Sequence, residues 1–178
     1  NTAFTDPNGV VTTIKYNPRG LIEDVIVKHP GNINTLNAIT HSDYDEAGKL
    51  KTLTQPNGLV LHYEYSDAGT LTAVYNDTGE RIDYILDAAG NRKSETIKSA
   101  TGEIKFMVNR AFDELSRVMD ITGNHGQNTH QAYDANGNLD KSKNSKTHQI
   151  QHQYDPFDRI KKVIDPNLKE TLYTYTPA

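Results

Sequence analysis

The sequence lacks cysteine and tryptophan altogether, and it has few hydrophobic residues for its length of 178. Without cysteine there is no disulfide framework and no zinc site built on thiolates. Hydrophobic residues make up 35% of the chain, whereas a compact globule carries about 45–50% apolar residues, counting glycine. This deficit favours a sheet in which each strand buries only one of its two faces.

Long apolar runs and clusters of one charge sign are missing too. No apolar run approaches the roughly 18 residues of a membrane-spanning helix, and Asn1 opens on repeat-like sequence without a visible signal peptide. The formal net charge is -4, with acidic and basic residues interspersed, so no basic patch marks a nucleic-acid or anionic membrane site. We therefore expect no membrane span and no nucleic-acid partner.

What the sequence does contain is a repeat. An aromatic or large apolar residue, here termed the anchor, stands before a short polar turn, and four of the six intervals between the first seven anchors are 21 residues. The anchors are Tyr16, Tyr44, Tyr65, Leu86, Phe112, Tyr133 and Tyr154, and Tyr175 follows after 21 more residues. A fixed period of this length is typical of one supersecondary unit stacked repeatedly.

A turn signal follows each anchor. The next residue has a side-chain oxygen that can accept backbone N–H groups ahead of it, as in Asx and ST turns. These residues are Asn17, Asp45, Ser66, Asp87, Asp113, Asp134, Asp155 and Thr176. Glycine stands four residues after the anchor at Gly20, Gly48, Gly69, Gly90 and Gly137, and leucine two residues later at Leu50, Leu71 and Leu139. We expect these glycines to supply a positive φ.

A second turn is predicted seven residues before the anchor, for example at Gly58 and Gly79. Two turns in 21 residues leave two strands of about six residues each. Alternate residues before the anchors are apolar or aromatic, as in the pairs Tyr63 with Tyr65, Tyr84 with Leu86, and Tyr173 with Tyr175. This alternation predicts an all-β antiparallel meander of β-hairpins, an open or spiralling sheet with one aromatic and one largely polar face.

The two intervals longer than 21 residues predict loop insertions near 27–42 and 98–109, because insertions in repeat arrays fall at turns. Neither resembles a domain boundary, so residues 1–178 are predicted to be a single array that begins and ends within a repeat. Open strand edges tend to recruit another chain. We therefore expect self-association through these edges.

The motifs resemble the YD-repeat, or Rhs-repeat, family, whose pattern reads approximately Tyr-Asp-x-x-Gly-Arg-Leu, a strand, a glycine turn and Tyr-x-Tyr-Asp. The match is most specific at residues 44–50, 63–71, 133–139 and 154–160. The family includes bacterial polymorphic toxins, B and C components of insecticidal toxin complexes, wall-associated proteins and teneurins. The resemblance implies a sheet that spirals into a hollow shell around a toxin, in a secreted or cell-surface bacterial protein.

We accordingly expect a structural, non-enzymatic shell segment, with flanking repeats of its own polypeptide and an encapsulated toxin or effector passenger as partners. The alternative is a cell-surface adhesion or carbohydrate-binding module, because tyrosines on a sheet can stack on sugar rings. No catalytic, cofactor or metal site is predicted. His148 and His152 would lie about 13 Å apart on one strand face, too far to share a metal, and Asp155 and Asp158 belong to a repeat turn.

Overall fold

The computed structural model describes residues 1–30 and 37–176, and all regular elements within these ranges are β-strands. The strands are β1 (Thr2–Thr5), β2 (Val11–Tyr16), β3 (Ile22–Lys28), β4 (Ala38–Tyr44), β5 (Leu50–Thr54), β6 (Val60–Tyr65), β7 (Leu71–Asn76), β8 (Arg81–Leu86), β9 (Arg92–Lys98), β10 (Ile104–Phe112), β11 (Val118–Gly123), β12 (Asn128–Tyr133), β13 (Leu139–Asn144), β14 (Gln149–Tyr154), β15 (Ile160–Ile164) and β16 (Glu170–Leu172). Their order in the sheet is their order in the chain. The predicted all-β antiparallel meander is confirmed.

The chain divides into two compact units. The first comprises Asn1–Asp83 with Lys98–Glu103, and the second comprises Tyr84–Ile97 with Ile104–Ala178. Within the first unit the strands from β1 to β7 pair consecutively, and within the second those from β10 to β16 do so. In each unit the turns after the anchors, here called anchor turns, therefore lie at one end of the strands, and the second turns lie at the other end.

The hairpin turns within the described ranges share one backbone conformation. In the turn after Tyr65, the Ser66 N–H donates to the Thr70 carbonyl at 2.9 Å and the Gly69 N–H donates to the Ser66 carbonyl at 2.8 Å. Gly69 has φ +83°. This is a three-residue hairpin loop in which a type I turn is followed by a left-handed residue. The positive φ predicted for the repeat glycines is confirmed.

Four turns place a residue other than glycine at the left-handed position. They are the turns of Ser116 (φ 61°), Thr147 (φ 65°), Asp158 (φ 58°) and Leu168 (φ 63°), and all four belong to the second unit. A left-handed conformation brings Cβ close to the following carbonyl oxygen, which costs roughly 1–2 kcal/mol for residues with a side chain. The hairpins of the second unit are therefore under more backbone strain than those of the first.

The side chain that opens each turn fixes this conformation. Asp134 Oδ1 accepts the Asn136 N–H at 2.9 Å and the Asn138 N–H at 2.8 Å. The same side-chain-to-backbone bonding occurs at the other predicted turn openers from Asn17 to Asp155. The predicted Asx and ST turns are thus present, and they account for these carboxylates without catalysis.

A β-bulge follows each anchor turn whose pairing is described. Tyr65 pairs with Leu71 but the preceding Glu64 pairs with Ala73, which leaves Thr72 as an extra residue in β7. Equivalent shifts occur beside Tyr16, Tyr44, Phe112, Tyr133 and Tyr154. The ladders across the second turns, such as β5 with β6, pair without a shift. Bulges bend a strand and increase its right-handed twist, so twist is added once in every repeat.

The predicted loop insertion near residues 98–109 is wrong. Ser99–Gly102 forms the ordinary turn, with Ser99 N–H bonded to the Glu103 carbonyl at 2.9 Å. The additional residues lengthen the strands instead, since β9 has seven residues and β10 has nine. Of the other predicted insertion, near 27–42, residues 31–36 lie outside the described residues. The prediction of a single array over 1–178 stays a prediction.

Few side chains are deeply buried. Among the described residues the buried hydrophobic ones are Ile26, Ala73 and Val108, and no large side chain is fully buried. Most residues in the strands are half-buried instead. The hydrophobic contribution to stability is therefore spread over many partly covered side chains, and backbone pairing and turn geometry carry a large share of the fold.

Opposite substitutions at the left-handed turn position should shift stability in opposite directions. Gly69→Val puts a β-branched residue at positive φ and should lower the free energy of unfolding by more than about 1 kcal/mol. Thr147→Gly relieves the same conformation and should raise it by about 0.5–1 kcal/mol. Urea unfolding followed by circular dichroism measures both. Lys146→Gly, one position earlier, is the control and should give no gain; an equal effect of the two glycine variants would contradict the assigned strain.

Candidate functional site

The two faces of the sheet differ sharply in charge in the first unit. Strand alternation and register place one set of residues on an aromatic face: Tyr16, Tyr44, Leu50, Leu53, Leu61, Tyr63, Tyr65, Leu71, Val74 and Ile82. The opposite, charged face carries Lys15, Asp24, His41, Asp43, His62, Glu64, Arg81 and Asp83. The charged face also carries some apolar residues: the Tyr75 ring lies there opposite His62, and Ile26 and Ile39 pair there.

The second unit has the same segregation. Its aromatic face carries Val108, Phe112, Val118, Ile121, Tyr133, Leu139, Ile150, Tyr154 and Ile160. Its charged face carries Asp120, Lys141, Lys143, Lys162 and Glu170. Three residues depart from the pattern: alternation in β10 places Arg110 on the aromatic face with Phe112, and the register places Ile164 and Leu172 on the charged face. The predicted division into an aromatic and a largely polar face is present in both units.

The anchor tyrosines use their hydroxyl groups to bridge strands. The β5–β6 ladder ends at the pair Thr52 and His62. Beyond this pair, next to the bulge between β4 and β5, the backbones of β5 and β6 are not paired. There the Tyr65 hydroxyl donates to the Leu50 carbonyl at 2.9 Å. The phenol thus spans the gap that backbone pairing leaves open, and burial raises the pKa of its hydroxyl.

This tyrosine bridge recurs along the chain. The acceptor is always the carbonyl of the first residue of the preceding strand: Tyr44 to Ile22 at 2.7 Å, Tyr133 to Val118 at 2.8 Å, Tyr154 to Leu139 at 3.0 Å and Tyr175 to Ile160 at 2.8 Å. The spacing is 15 residues except at Tyr44, where the longer interval makes it 22. Leu86 and Phe112 have no hydroxyl and cannot form the bridge.

Arginine side chains that come directly after two of the anchor turns cover the rings of the next anchors. The Arg117 guanidinium donates from Nε to Asp113 Oδ2 at 2.7 Å and lies 4.5 Å above the Tyr133 ring. Arg159 makes the same pair of contacts, with Asp155 at 2.7 Å and the Tyr175 ring at 4.3 Å. Such cation–π contacts contribute about 0.5–1 kcal/mol at exposed sites. Each arginine therefore ties one turn to the anchor of the next repeat.

These contacts also perturb the turn carboxylates. The backbone N–H of Arg117 lowers the pKa of Asp113, and the Arg159 side chain lowers the pKa of Asp155. Both carboxylates are therefore held in the ionised form that the turn hydrogen bonds require. A depressed pKa is the opposite of what a general acid near neutral pH needs.

A polar network crosses four strands on the charged face of the first unit. The Lys15 ammonium lies 3.1 Å from Asp24, whose other oxygen contacts His41 Nδ1 at 2.7 Å. His41 Nε2 lies 3.3 Å from Asp43, which also accepts the Thr52 hydroxyl at 2.7 Å. The hydrogen bond with Asp24 raises the pKa of His41, and that with His41 lowers the pKa of Asp24. The imidazole therefore links two carboxylates most strongly when it is protonated.

A second network lies on the same face around Arg81. Its guanidinium contacts Glu64 and Asp83 at 2.5 Å each, which lowers the pKa of Glu64. Its guanidinium carbon also lies 5.2 Å from the centre of the Tyr75 ring, and that ring stacks on His62 at 4.9 Å. The Tyr75 ring is thus covered by two polar side chains, which explains how an aromatic residue is accommodated on the charged face.

Two cavities of moderate size open on the aromatic faces. In the first unit a cavity of about 300 Å³ is lined by Asp45, Lys49, Lys51, Tyr63, Tyr65 and Ser66. In the second a cavity of about 290 Å³ lies beside the Gly123 turn. In residues 1–30 and 37–176 no group of three or more metal-ligating side chains comes together. No helix long and apolar enough to cross a membrane occurs there.

The structure thus distributes the sequence-predicted residues over turns and faces. Asn17, Asp45, Asp87 and the repeat glycines lie in turns, and the tyrosines lie on the aromatic face. The tyrosine bridge and the role of Arg117 and Arg159 were not predicted from the sequence. The signal for the arginines was present, because the family pattern carries arginine after the turn glycine and both residues occupy that position.

Comparison with known proteins agrees with this geometry. A family model described as RHS Repeat matches residues 44–81. No curated protein sequence matches the chain. A crystal structure of TcdB2-TccC3-TEV has a TM-score of 0.56 at 14% identity, covering 97% of this chain and 12% of its own. A TcdB2-TccC3 crystal structure (TM-score 0.41, 12% identity) and a Photorhabdus luminescens Tc holotoxin pore (TM-score 0.33, 13% identity) each cover 90% of this chain and 12% of theirs.

Stacked hairpins with a 21-residue period, one turn conformation and one bulge in each repeat define a β-hairpin repeat protein. Residues 44–81, the segment in which the motif is strongest, match the RHS Repeat model. The resemblance seen in the sequence is confirmed. The chain spans 12% of the length of the TcdB2-TccC3-TEV chain that it matches.

Removing a tyrosine hydroxyl should lower the free energy of unfolding at the bridging anchors and leave it unchanged at a tyrosine that forms no bridge. Tyr65→Phe and Tyr154→Phe leave a strand carbonyl without its donor and should each lower the free energy of unfolding by about 1 kcal/mol. Tyr84→Phe is the matched control, because its ring lies under Arg92 at 4.1 Å but makes no such bridge. Chemical unfolding of the three variants gives the comparison. Losses of equal size at all three positions would show that the bridge adds no stability beyond that of a tyrosine hydroxyl without a bridge.

The His41 network should make stability depend on pH. The pKa of His41 is raised by Asp24, so its contribution is complete below about pH 6.5 and is lost as pH rises through the higher folded-state value. The pKa values of Asp24 and Asp43 are lowered, so their contribution is complete above about pH 4 and is lost on further acidification. The network therefore stabilises most between these limits.

Thermal unfolding from pH 5 to pH 8 tests this dependence. The wild-type melting temperature should fall toward pH 8 more steeply than that of His41→Gln. Other histidine pairs, such as His62 with Asp77 at 2.7 Å, are present in both proteins and cancel in the comparison. Parallel curves would show that His41 does not carry the dependence.

Proposed function

We propose that this chain is a structural wall segment of a YD/Rhs shell, and that its aromatic face lies against a toxin or effector passenger. The observation that carries the proposal is the segregation of charge between the faces. A wall that holds a polypeptide needs an inner surface that can contact apolar segments without desolvating buried charges. The aromatic face meets this need between the cations that cover its anchor rings, such as Arg117 and Arg159.

The exposure of the aromatic face supports the same role. Tyr16 is 42% exposed, Phe106 is 45% exposed and Tyr175 is 45% exposed. These exposed aromatic side chains are available for contact with another polypeptide. The charged face is satisfied by its own ion pairs, so it suits the side of a wall that meets solvent.

The family resemblance extends the proposal to the whole protein. Flanking repeats of the same polypeptide would continue the wall, and the complete protein would be secreted or displayed at a bacterial cell surface. The fold likeness to TcdB2-TccC3-TEV supports this role through architecture alone, at 14% identity. The role is mechanical, and no enzymatic activity is proposed for this segment.

A second candidate function is glycan binding, which the cavity around Tyr63 favours. Lys49 and Lys51 place two ammonium groups beside two tyrosine rings there. Aromatic rings stack on sugars, and ammonium groups pair with the carboxylate of an acidic sugar. Asp45 in the same wall offsets one of the positive charges, so we rank this function second.

Binding of an unfolded polypeptide tests the wall proposal. The probe is reduced, carboxymethylated α-lactalbumin, which stays unfolded, with the native protein as reference. Thr40 and Thr54 are half-buried threonines on neighbouring strands, on the aromatic and the charged face respectively. We expect the chain to bind the unfolded probe, Thr40→Lys to weaken binding about tenfold through the cost of desolvating a charge, and Thr54→Lys to leave it unchanged.

Two outcomes would contradict the wall proposal. One is the absence of binding to the unfolded probe, and the other is an equal loss in both lysine variants, which would show that the faces are equivalent. Specific binding in a glycan array that is lost in Tyr63→Ala would favour the second candidate instead. Circular dichroism of each variant establishes that the sheet is intact.

A further inference from the structure

Three of the hairpin turns contain an asparagine followed by glycine: Asn8-Gly9, Asn57-Gly58 and Asn136-Gly137. Such an asparagine can lose ammonia when the glycine backbone nitrogen attacks the side-chain amide carbon, because glycine has no Cβ to hinder the approach. All three asparagines are exposed, and the three glycines have similar φ values between 79° and 93°. The sequence pair alone therefore does not distinguish the sites.

The attacking N–H is held in the same way in the three turns. It donates to the carbonyl of the residue that opens the turn, at 2.9 Å from Gly9, 2.9 Å from Gly58 and 3.1 Å from Gly137. This hydrogen bond must open before the nitrogen can attack, so it slows all three reactions alike. Differences in reactivity therefore come from the side chains around each asparagine.

The Asn57 side chain fastens its own turn. Its Oδ1 accepts the Leu59 N–H at 3.0 Å, and this hydrogen bond closes a ring of atoms that contains both Asn57 Cγ and the Gly58 nitrogen. The side-chain amide is thus restrained beside the peptide whose nitrogen attacks it. The Leu59 N–H also faces the oxygen on which negative charge develops during the attack, and a backbone donor in that place stabilises the intermediate.

In the other two turns an aspartate takes the equivalent N–H. Its Oδ1 accepts the N–H groups on both sides of the glycine at 2.8 to 2.9 Å, those of Asn8 and Val10 for Asp6 and those of Asn136 and Asn138 for Asp134. The negative charge beside the glycine opposes the loss of its N–H proton. The Asn57 turn is opened by the neutral Gln55 instead, so both the charge and the hydrogen bonding favour reaction there.

Asn136 is restrained by a further contact. Its Nδ2 donates to Asp158 Oδ1 at 3.0 Å, across to the next anchor turn. The nitrogen that has to leave as ammonia is therefore bound to a residue 22 positions away, which directs the amide away from its own backbone. This contact makes Asn136 the least reactive of the three sites.

We propose that Asn57 is a site of spontaneous deamidation and that it reacts before Asn8 and Asn136. The Gly58 nitrogen forms a bond to Asn57 Cγ, the Cγ–Nδ2 bond breaks, and Nδ2 takes up the proton of the Gly58 N–H and leaves as ammonia. Water then opens the cyclic imide at either of its carbonyl groups, which gives aspartate or isoaspartate.

The modification is separate from the wall function, because it needs no partner and changes the chain itself. Isoaspartate adds one carbon atom to the main chain within the turn between β5 and β6. That hairpin is the one that the Tyr65 hydroxyl bridges at the Leu50 carbonyl. Deamidation therefore alters a turn whose length the repeat geometry depends on.

Mass spectrometry of the intact chain incubated at pH 8 tests the proposal. Peptides that contain each Asn-Gly pair are followed for the mass change from amide to carboxylate, and protein isoaspartate methyltransferase labels the isoaspartate. Each rate is divided by the rate of the same site in urea, which removes the effect of the neighbouring sequence. We expect Asn57 to react first and Asn136 last.

Two substitutions at Gln55 test the cause. Gln55→Asn supplies the acceptor that Asn17 provides in its own turn, where Oδ1 accepts the Leu21 N–H at 3.0 Å. It should take the Leu59 N–H from Asn57 and slow the reaction about fivefold, the effect of one ordinary hydrogen bond. Gln55→Ala is the matched control, since it supplies no acceptor and should leave the rate unchanged. Circular dichroism establishes that both variants keep the sheet.

Four results would overturn the proposal. In the folded chain, Asn8 or Asn136 reacts as fast as Asn57, or Asn57 is still unmodified when the chain in urea has reacted completely. In the variants, Gln55→Asn reacts at the wild-type rate, or Gln55→Ala slows the reaction as much as Gln55→Asn does.

Discussion

The hydrogen bond from an anchor tyrosine to a carbonyl in the preceding strand holds the repeat together. The bulge beside each anchor turn shifts the register, and the next two strands are unpaired beyond it. The Tyr65 hydroxyl closes this gap at the Leu50 carbonyl. Because an unpaired half-buried carbonyl is costly, the hydroxyl satisfies a group that the bulge leaves without a backbone donor. This explains why the anchor is tyrosine in most repeats. The bulge at Leu71 forms without this help, since the next anchor is Leu86.

The bulge and the bridge together also account for the fixed period. An acceptor 15 residues before the phenol requires that the two strands and the turn between them have a constant combined length. An inserted residue in either strand would reverse the face of every later side chain. The charged networks of Asp24 and Arg81 lie on the opposite face and depend on the same register. The separation of charge from aromatic surface is therefore a consequence of the period, and it is the property on which the wall function rests.

Much of this fold could be predicted from the sequence, because its signals are local. Each signal depends on a few neighbouring residues: a turn opener such as Asp134, a glycine such as Gly69, or the alternation around Tyr63. The structure contains the turns and the faces that these signals indicate. The left-handed turns at Ser116 and Thr147 were not predictable in this way, because these residue types disfavour positive φ and tertiary register imposes it. The additional residues of β10 were predicted to form a loop, because insertions in repeat arrays usually fall at turns. In the structure they extend the strand.

The candidate site was less predictable than the fold. Three kinds of contact join residues 15 or more positions apart: the bond of each phenol to its acceptor, the stacking of Arg117 on Tyr133, and the pairing of His41 with Asp24. Their pairing depends on the bulge, which shifts the register by one residue, and local composition does not reveal a bulge. The cavity at Gly123 was hidden because a glycine near a turn is usually interpreted as a turn residue.

The exchange of the tyrosine hydroxyl protons tests the bridge most directly. Carbon-13 NMR of protein labelled at tyrosine Cζ, in equal parts of light and heavy water, gives two signals for each hydroxyl that exchanges slowly. The bridge predicts paired signals for Tyr65, Tyr133 and Tyr154 and a single averaged signal for Tyr84. Single signals for all four residues would mean that the phenols are open to solvent, and that hydroxyl bridges do not hold the repeats together.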